Sequence, residues 1–437
     1  MAATRARPSR RPLASRLWSR LLDPRDQAAG WAVAGVLLAF EACFLPFVIR
    51  RVPYTEIDWE AYMSEVRGFA SGERDYGKLE GATGPLVYPA GFVYLFDLLR
   101  RATGDGADVR LAQHIFAALL WVTQLLACAA YISARSVPPI GLAALFASRR
   151  VRSVFVLRLF NDGWVAAVSL LGTVLLQRGR FVACVAVFSL AVSIKMSALL
   201  LAPGVLAAVV KRATPRDLAL GVALGAGLQV ALAAPFLAAH PLAYLSRAFE
   251  LSRTFKQVWS VNWQFLPEPL FVSPRFAILL LGLHFRIISS FAGNGWFADA
   301  GGPVRVLEDF WTRTRDQSRA LTRALAAPDD DLYLLSTSLL TGVLTARSLH
   351  YQFYAWYFHF LPFALLRTTL PPLFALALLA AVEALWNVFP PTPWTSAGLF
   401  AAHALILVAT WALRAPFPQQ VVSKIAQKAK KVGGKRV

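Results

Sequence analysis

The chain has 437 residues, of which 57% are hydrophobic and only 16% charged, and its formal net charge is +20. Soluble chains carry about a quarter charged residues and do not sustain such long apolar runs, so a soluble multidomain protein is excluded and a multi-span membrane protein remains. The basic excess sits in short hinges between apolar runs and in the two tails, with no zinc-finger or RNA-binding signature, so it encodes membrane topology rather than nucleic-acid binding.

In chain order, residues 1–30 form an Arg-rich tail without a small-residue cleavage site, which reads as a cytosolic N-terminus before a retained first span at roughly 31–50. The span delivers a first non-cytosolic loop, 51–84, that holds "YTEIDWEAYMSEV" and ends in the turn-forming "GATGPLVYPAGF". A span over 85–100 then returns to the basic hinge "LLRRATGDGADVR", and 111–133 goes out. "PPIGLAALF" comes back to "ASRRVRS", again basic, and "VFVLRLFNDGW" goes out. Short spans alternate to "QRGR", to "SIK" and to "KRATPRD", and are expected as broken or tilted helices. Residues 217–239 lead to a non-cytosolic loop, 240–270, and 271–289 returns to a mixed-charge cytosolic segment, 294–331, whose "DDD" at 329–331 reads as a hinge. Four further passes end in a cytosolic basic tail, 415–437, where Lys430 and Lys431 fit a retention signal of unusual spacing. The expectation is an all-α integral membrane protein of about 14 crossings, a single domain over 31–414 with both termini cytosolic. The cysteines Cys43, Cys128 and Cys184 lie in apolar runs without CxxC or metal spacing and read as packing residues.

The segments richest in polar and aromatic residues all fall on the non-cytosolic side: "TEIDWEAYM", "GPLVYPAG", "RLFND", "SIKMS", "VWSVNWQFLPE" and "SLHYQFYAWY". Ionisable groups at membrane depth are costly and line cavities. Asp58 and Glu60 offer carboxylates, Arg158, Lys195, Arg347 and His350 offer cations, and Tyr88, Trp263, Tyr351 and Tyr354 offer flat amphipathic faces. One acid, several cations and an aromatic wall suit a phosphate-bearing lipid donor and a sugar acceptor. The cations stabilise the leaving phosphate, and the carboxylate takes a proton from the attacking hydroxyl. Each residue also has a plainer reading. The acids are equally a solvated helical face, Asp162 beside Asn161 a helix cap, Lys195 a snorkelling side chain, and His350 with Tyr351 part of an interfacial belt. No Walker A, GxGxxG or HExxH motif competes, and no metal site or cofactor is expected.

"EIDWEAYMSEV", "GPLVYPAGFVY", "LRLFND", "SIKMSALLLAP", "VNWQFLPE" and "SLHYQFYAWYFHFLP", in that order over about residues 54–366, resemble the dolichyl-phosphate-mannose-dependent α-1,3-mannosyltransferases of the endoplasmic reticulum. The resemblance implies a GT-C bundle with a luminal active site and an inverting, metal-independent transfer to the five-mannose oligosaccharide on dolichyl pyrophosphate. It places the catalytic base on Asp58, with Glu60 as a supporting acid. Arg158, Lys195, Arg347 and His350 are expected at the donor phosphate, and Trp59, Tyr88, Asn161, Asp162, Asn262, Trp263, Tyr351, Gln352 and Tyr354 around the acceptor. Gly163 stands where the family carries Pro, and Gln264 where it carries Arg. The partners implied are the two lipid-linked substrates and membrane lipids, with the chain monomeric. A sister mannosyltransferase acting on another glycan or a glycolipid anchor, and a lipid-linked oligosaccharide transporter, are the alternatives. A transporter predicts internal repeats, of which none is evident.

Overall fold

A computed structural model describes residues 13–82, 84–250, 256–324 and 326–415. Lys430 and Lys431 therefore lie outside the described residues. Among the described residues the chain is a helical membrane protein with one antiparallel hairpin, Glu80–Gly81 with Gly84–Pro85, and an isolated bridge between Thr368 and Arg414. Its Ala-, Leu- and Val-rich runs start at residues that satisfy the orphan N–H groups of a first turn. Asp26 caps Gln27–Arg51 through the Ala29 amide, Asp108 caps Val109–Ala134 through that of Leu111, and Thr214 and Thr392 open Pro215–Ala239 and Pro393–Ala412 with capping boxes.

Among the described residues five helices are long and apolar enough to cross a membrane: Gln27–Arg51, Val109–Ala134, Pro215–Ala239, Pro274–Trp296 and Pro393–Ala412. Arg149–Leu157 and Asp162–Gln177 form a pair bent by 113°. Side-chain contacts sort the helix ends into two groups. At one end, Gln27 meets the Ile132 carbonyl, Gln177 meets those of Ala130 and Pro328, and Lys211 meets that of Trp296. At the other, Arg110 donates to the Ile49 carbonyl, the Thr55 amide to Leu157, and the Val261 amide to Leu349.

These contacts correct the expected path in two places. The hinge "LLRRATGDGADVR" does not lie opposite the acidic loop. Trp59 Nε1 donates to the Gly106 carbonyl at 3.0 Å, and Arg67 pairs with Asp105 at 2.7 Å, so 52–108 stays at one end of the bundle. Ala90–Ala102 is too short to cross at 1.5 Å per residue, and Gly91 fits it against the far end of Phe181–Ile194, where a Cβ would fall 2.1 Å from Ser193 Oγ. Likewise "PPIGLAALF" and "ASRRVRS" belong to one broken pass, because Arg152 forms a bidentate pair with Glu41, inside Gln27–Arg51, at 2.7 and 2.8 Å. The local excess of arginine mimics a cytosolic hinge, whereas a carbonyl partner for Arg150 and a buried carboxylate for Arg152 hold these two side chains inside the bundle.

The apolar helical segments that remain are, in chain order, Gln27–Arg51, Val109–Ala134, 139–157, Asp162–Gln177, Phe181–Ile194, 196–212, Pro215–Ala239, Pro274–Phe291, Ala327–Leu344, 354–366, Pro372–Asn387 and Pro393–Ala412, twelve among the described residues. Nor is "DDD" a hinge. Asp329 and Asp331 are buried in the first turn of Ala327–Leu344, where Asp329 pairs with Arg367 at 2.6 Å and Asp331 pairs with Arg212, while Asp330 takes Lys211 and Arg414. Their partners lie far away in sequence, so the local string gave no sign of them. Cys128 and Cys184 are buried as expected, whereas Cys43 is exposed on its helix.

Candidate active site

Asp58 immediately precedes the helix Trp59–Ala70, but its side chain does not cap it. The half-buried carboxylate instead accepts a hydrogen bond from Tyr62 Oη at 3.2 Å, one helical turn on. Tyr62 is fixed by rings on every side, with Tyr88, Phe92 and Phe96 at centroid distances of 5.9, 5.2 and 4.8 Å. Burial pushes the Asp58 carboxyl above the usual carboxylate range, the Lys195 charge and the Tyr62 hydrogen bond draw it back down, and Asp162 and Glu56 push it up again.

Lys195 sits in an extended break between Phe181–Ile194 and the short turn Met196–Leu201. Its Nζ lies 3.0 Å from Asn161 Oδ1 and 2.8 and 2.9 Å from the two Asp162 oxygens. The rings of Tyr88, Phe353 and Trp356 surround the ammonium at 5.5, 5.1 and 5.9 Å. Trp356 Nε1 donates to the same Asp162, which is fully buried. Asp162 therefore does more than start a helix, and Lys195 does not snorkel: they form a buried ion pair within electrostatic reach of Asp58. Gly163, beside this pair, has Phe155 against it. A Cβ there would fall 2.9 Å from the ring.

Arg158 forms a second group. Its guanidinium donates to Ser153 Oγ and lies 5.7 Å from the Tyr351 ring centroid. Tyr351 in turn packs edge-on against Phe160 and Phe389. Gln352 and Tyr354 are buried, with Tyr354 stacked on Trp386 at 5.4 Å, and the His350 ring lies 5.4 Å from Phe353.

The remaining expected residues point elsewhere. Trp59 turns into the core and to the Gly106 carbonyl. Glu60 is exposed and lines a cavity of about 520 Å³ on the outer flank of its helix, with Ser64, Arg67 and Asp105. Asn262 and Trp263 form a clasp: Asn262 Nδ2 and Trp263 Nε1 both donate to the Ala346 carbonyl at 2.8 Å, while Asn262 Oδ1 accepts from the Leu349 amide at 2.8 Å. Arg347 donates to the Val272 carbonyl at 2.9 Å, and Gln264 closes its own loop onto the Ser260 carbonyl at 2.6 Å. The fold thus brings together Asp58, Tyr88, Asn161, Asp162 and Lys195, with Arg158 and Tyr351 in a neighbouring group, and uses the 257–264 segment to anchor 346–349.

Two residues escaped the reading of the sequence. Tyr62 was legible in principle, since a partner four residues after an acid lies on the same helical face. Arg150, whose guanidinium lies 5.3 Å from the Tyr351 ring centroid, had been placed on the wrong side. Among the described residues no group of three His, Cys, Asp or Glu is arranged to hold a metal ion.

The profile of a family described as ALG3 protein matches residues 35–396. The chain is 43% identical to the human Dol-P-Man:Man(5)GlcNAc(2)-PP-Dol alpha-1,3-mannosyltransferase, over 92% of each chain. It is 41% identical to the mouse protein of the same name, over 93% of this chain and 92% of that one, and 38% identical to the Arabidopsis thaliana protein, over 89% of both. No solved structure matches.

Proposed function

The chain belongs to the ALG3 protein family, and we propose from that premise that it transfers mannose from dolichyl-phosphate-mannose, in α-1,3 linkage, to the five-mannose oligosaccharide of dolichyl pyrophosphate in the endoplasmic reticulum membrane. The observation that carries this reading is similarity over nine-tenths of both chains to relatives that bear this activity in their names. The end of the bundle that holds Asp58 faces the lumen, and the end rich in Arg and Lys, with both tails, faces the cytosol. The twelve passes form a GT-C bundle, and the chain acts as a monomer.

In the reaction, Asp58 accepts the proton of the acceptor C3 hydroxyl as that oxygen attacks the anomeric carbon. The bond from that carbon to the phosphate oxygen breaks, dolichyl phosphate leaves with the electron pair, and the β-linked donor gives an α-linked product. A desolvated carboxylate with a raised affinity for protons is suited to this step. Tyr62 fixes its orientation, and the Lys195–Asp162 pair sets its charge environment. No metal or cofactor enters, because the donor arrives activated.

The test is Asp58→Asn in purified, reconstituted enzyme supplied with both lipid-linked substrates. The expected loss of turnover is about 10²–10⁴-fold, the usual worth of a positioned general base. Near-normal turnover would remove Asp58 from that role. Wild-type enzyme that mannosylates a glycolipid-anchor acceptor and ignores the five-mannose one would overturn the substrate assignment.

A further inference from the structure

A buried guanidinium and a half-buried one converge on one ring, and neither forms a salt bridge. Arg150 lies 5.3 Å and Arg158 5.7 Å from the Tyr351 ring centroid. Arg150 is 8% exposed. One of its terminal nitrogens donates to the Trp386 carbonyl at 2.8 Å, and its Nε has no partner. Glu383 is close by, but its Oε1 accepts from the backbone amide of Arg150 and from Asn387, not from the guanidinium. Arg158 meets the neutral Ser153 hydroxyl and Tyr351, through its ring and its hydroxyl. The contrast with the other buried cations is sharp. Lys195, Arg152, Arg212 and Arg367 each face a carboxylate at salt-bridge distance.

A buried charge without a partner costs several kcal/mol, and two like charges side by side cost more. Such an arrangement is favourable only when an anion completes it. The surface next to this pair says what the anion is attached to. Phe389, which packs on Tyr351, is exposed and stacks with exposed Trp259 at 6.3 Å, beside exposed Val258 and Val388. We propose that Arg150 and Arg158 form a cradle for a lipid-linked phosphate, with the isoprenoid chain leaving across the Trp259–Phe389 face. Arginine binds phosphate oxygens in a forked, charge-assisted geometry, and Arg150 Nε is a donor still without a partner. The inference deepens the mannosyltransferase reading and rests on it. Both substrates carry phosphate on an isoprenoid, the donor as monophosphate and the acceptor as diphosphate, so the chemistry is shared and the source is decided by experiment.

The experiment uses the full chain in nanodiscs, with Arg150→Gln, Arg150→Lys and Arg158→Gln compared to wild type. It measures KM for each substrate, and inhibition and thermal protection by farnesyl phosphate and by farnesyl diphosphate. Losing one charge-assisted contact raises the affected KM by about tenfold to a hundredfold, with partial recovery in Arg150→Lys. A donor-side shift with weakened farnesyl phosphate binding assigns the cradle to the donor. An acceptor-side shift with weakened diphosphate binding assigns it to the acceptor. Arg150→Gln and Arg158→Gln proteins that stay folded and bind both prenyl phosphates as wild type does would overturn the cradle. Wild-type enzyme without mannosyl transfer would instead overturn the function on which it rests. Should Arg150→Gln fail to fold, Arg158→Gln and Arg150→Lys carry the same readouts.

Discussion

Replacing Lys195 with Met removes the ammonium and keeps most of the side-chain volume. The structure fixes the consequence. Asp162 loses two contacts at 2.8 and 2.9 Å and is left fully buried, with the Trp356 indole N–H as its remaining side-chain donor. Breaking one partner of a buried pair costs about 3–5 kcal/mol, because the surviving charge is stranded. The same principle predicts that Lys195→Met combined with Asp162→Asn recovers most of the loss, since neutral groups of similar shape replace both charges. A double-mutant cycle by thermal unfolding in detergent therefore gives a coupling of about 3 kcal/mol. It also discriminates between two roles. If Lys195 acts by holding Asp162 and the 161–163 turn in place, the double variant regains both stability and a near-normal donor KM. If its charge binds the donor phosphate, the double variant regains stability and keeps a raised donor KM. Additive losses in stability would refute the pairing argument itself.

The acid limb of the pH–rate profile follows Asp58, whose carboxyl burial pushes up. The ionised form is the active base, so activity falls as pH drops through this raised value. Tyr62→Phe removes a hydrogen bond to the charged form and moves the acid limb to higher pH, whereas a merely structural role for Tyr62 would lower yield and leave the limb where it is. Asn262→Ala removes the side chain that ties 260–262 to 346–349, leaves the Leu349 amide without this acceptor, and costs about 1–3 kcal/mol, read as faster limited proteolysis in the 256–273 loop with kcat changed less than KM.

How far the sequence could be read depended on the range of the contact. Apolar runs and the gathering of aromatic and ionisable segments at one end are local or compositional properties, and they survive in the structure. The acid Asp58 and the cation Lys195 were both identified, but their relation was not. That relation is set by Asp162, which is fully buried and 33 residues from Lys195 in sequence. Asn262 and Trp263 were read as sugar contacts because polar and aromatic residues suit sugars. The same groups suit a clasp, and the deciding fact, a carbonyl at Ala346 about eighty residues on, is tertiary.

The arginines of 148–152 show most clearly why charge counting misleads inside a bundle. The positive-inside rule treats each Lys or Arg as free to choose a side of the membrane. Arg152 is not free, because Glu41 lies inside the first long helix and fixes it bidentately. Once Arg152 is held there, the short stretch from 139 to 157 has room for one broken pass and no more, and the break leaves Arg150 facing Tyr351 rather than water. The pass ends where the Leu157 carbonyl takes the Thr55 amide, three residues before Asp58. One buried carboxylate in the first helix therefore sets the path that brings an unneutralised guanidinium to the same end of the bundle as the acidic loop, and a residue that looked like a topology signal becomes part of the candidate chemistry.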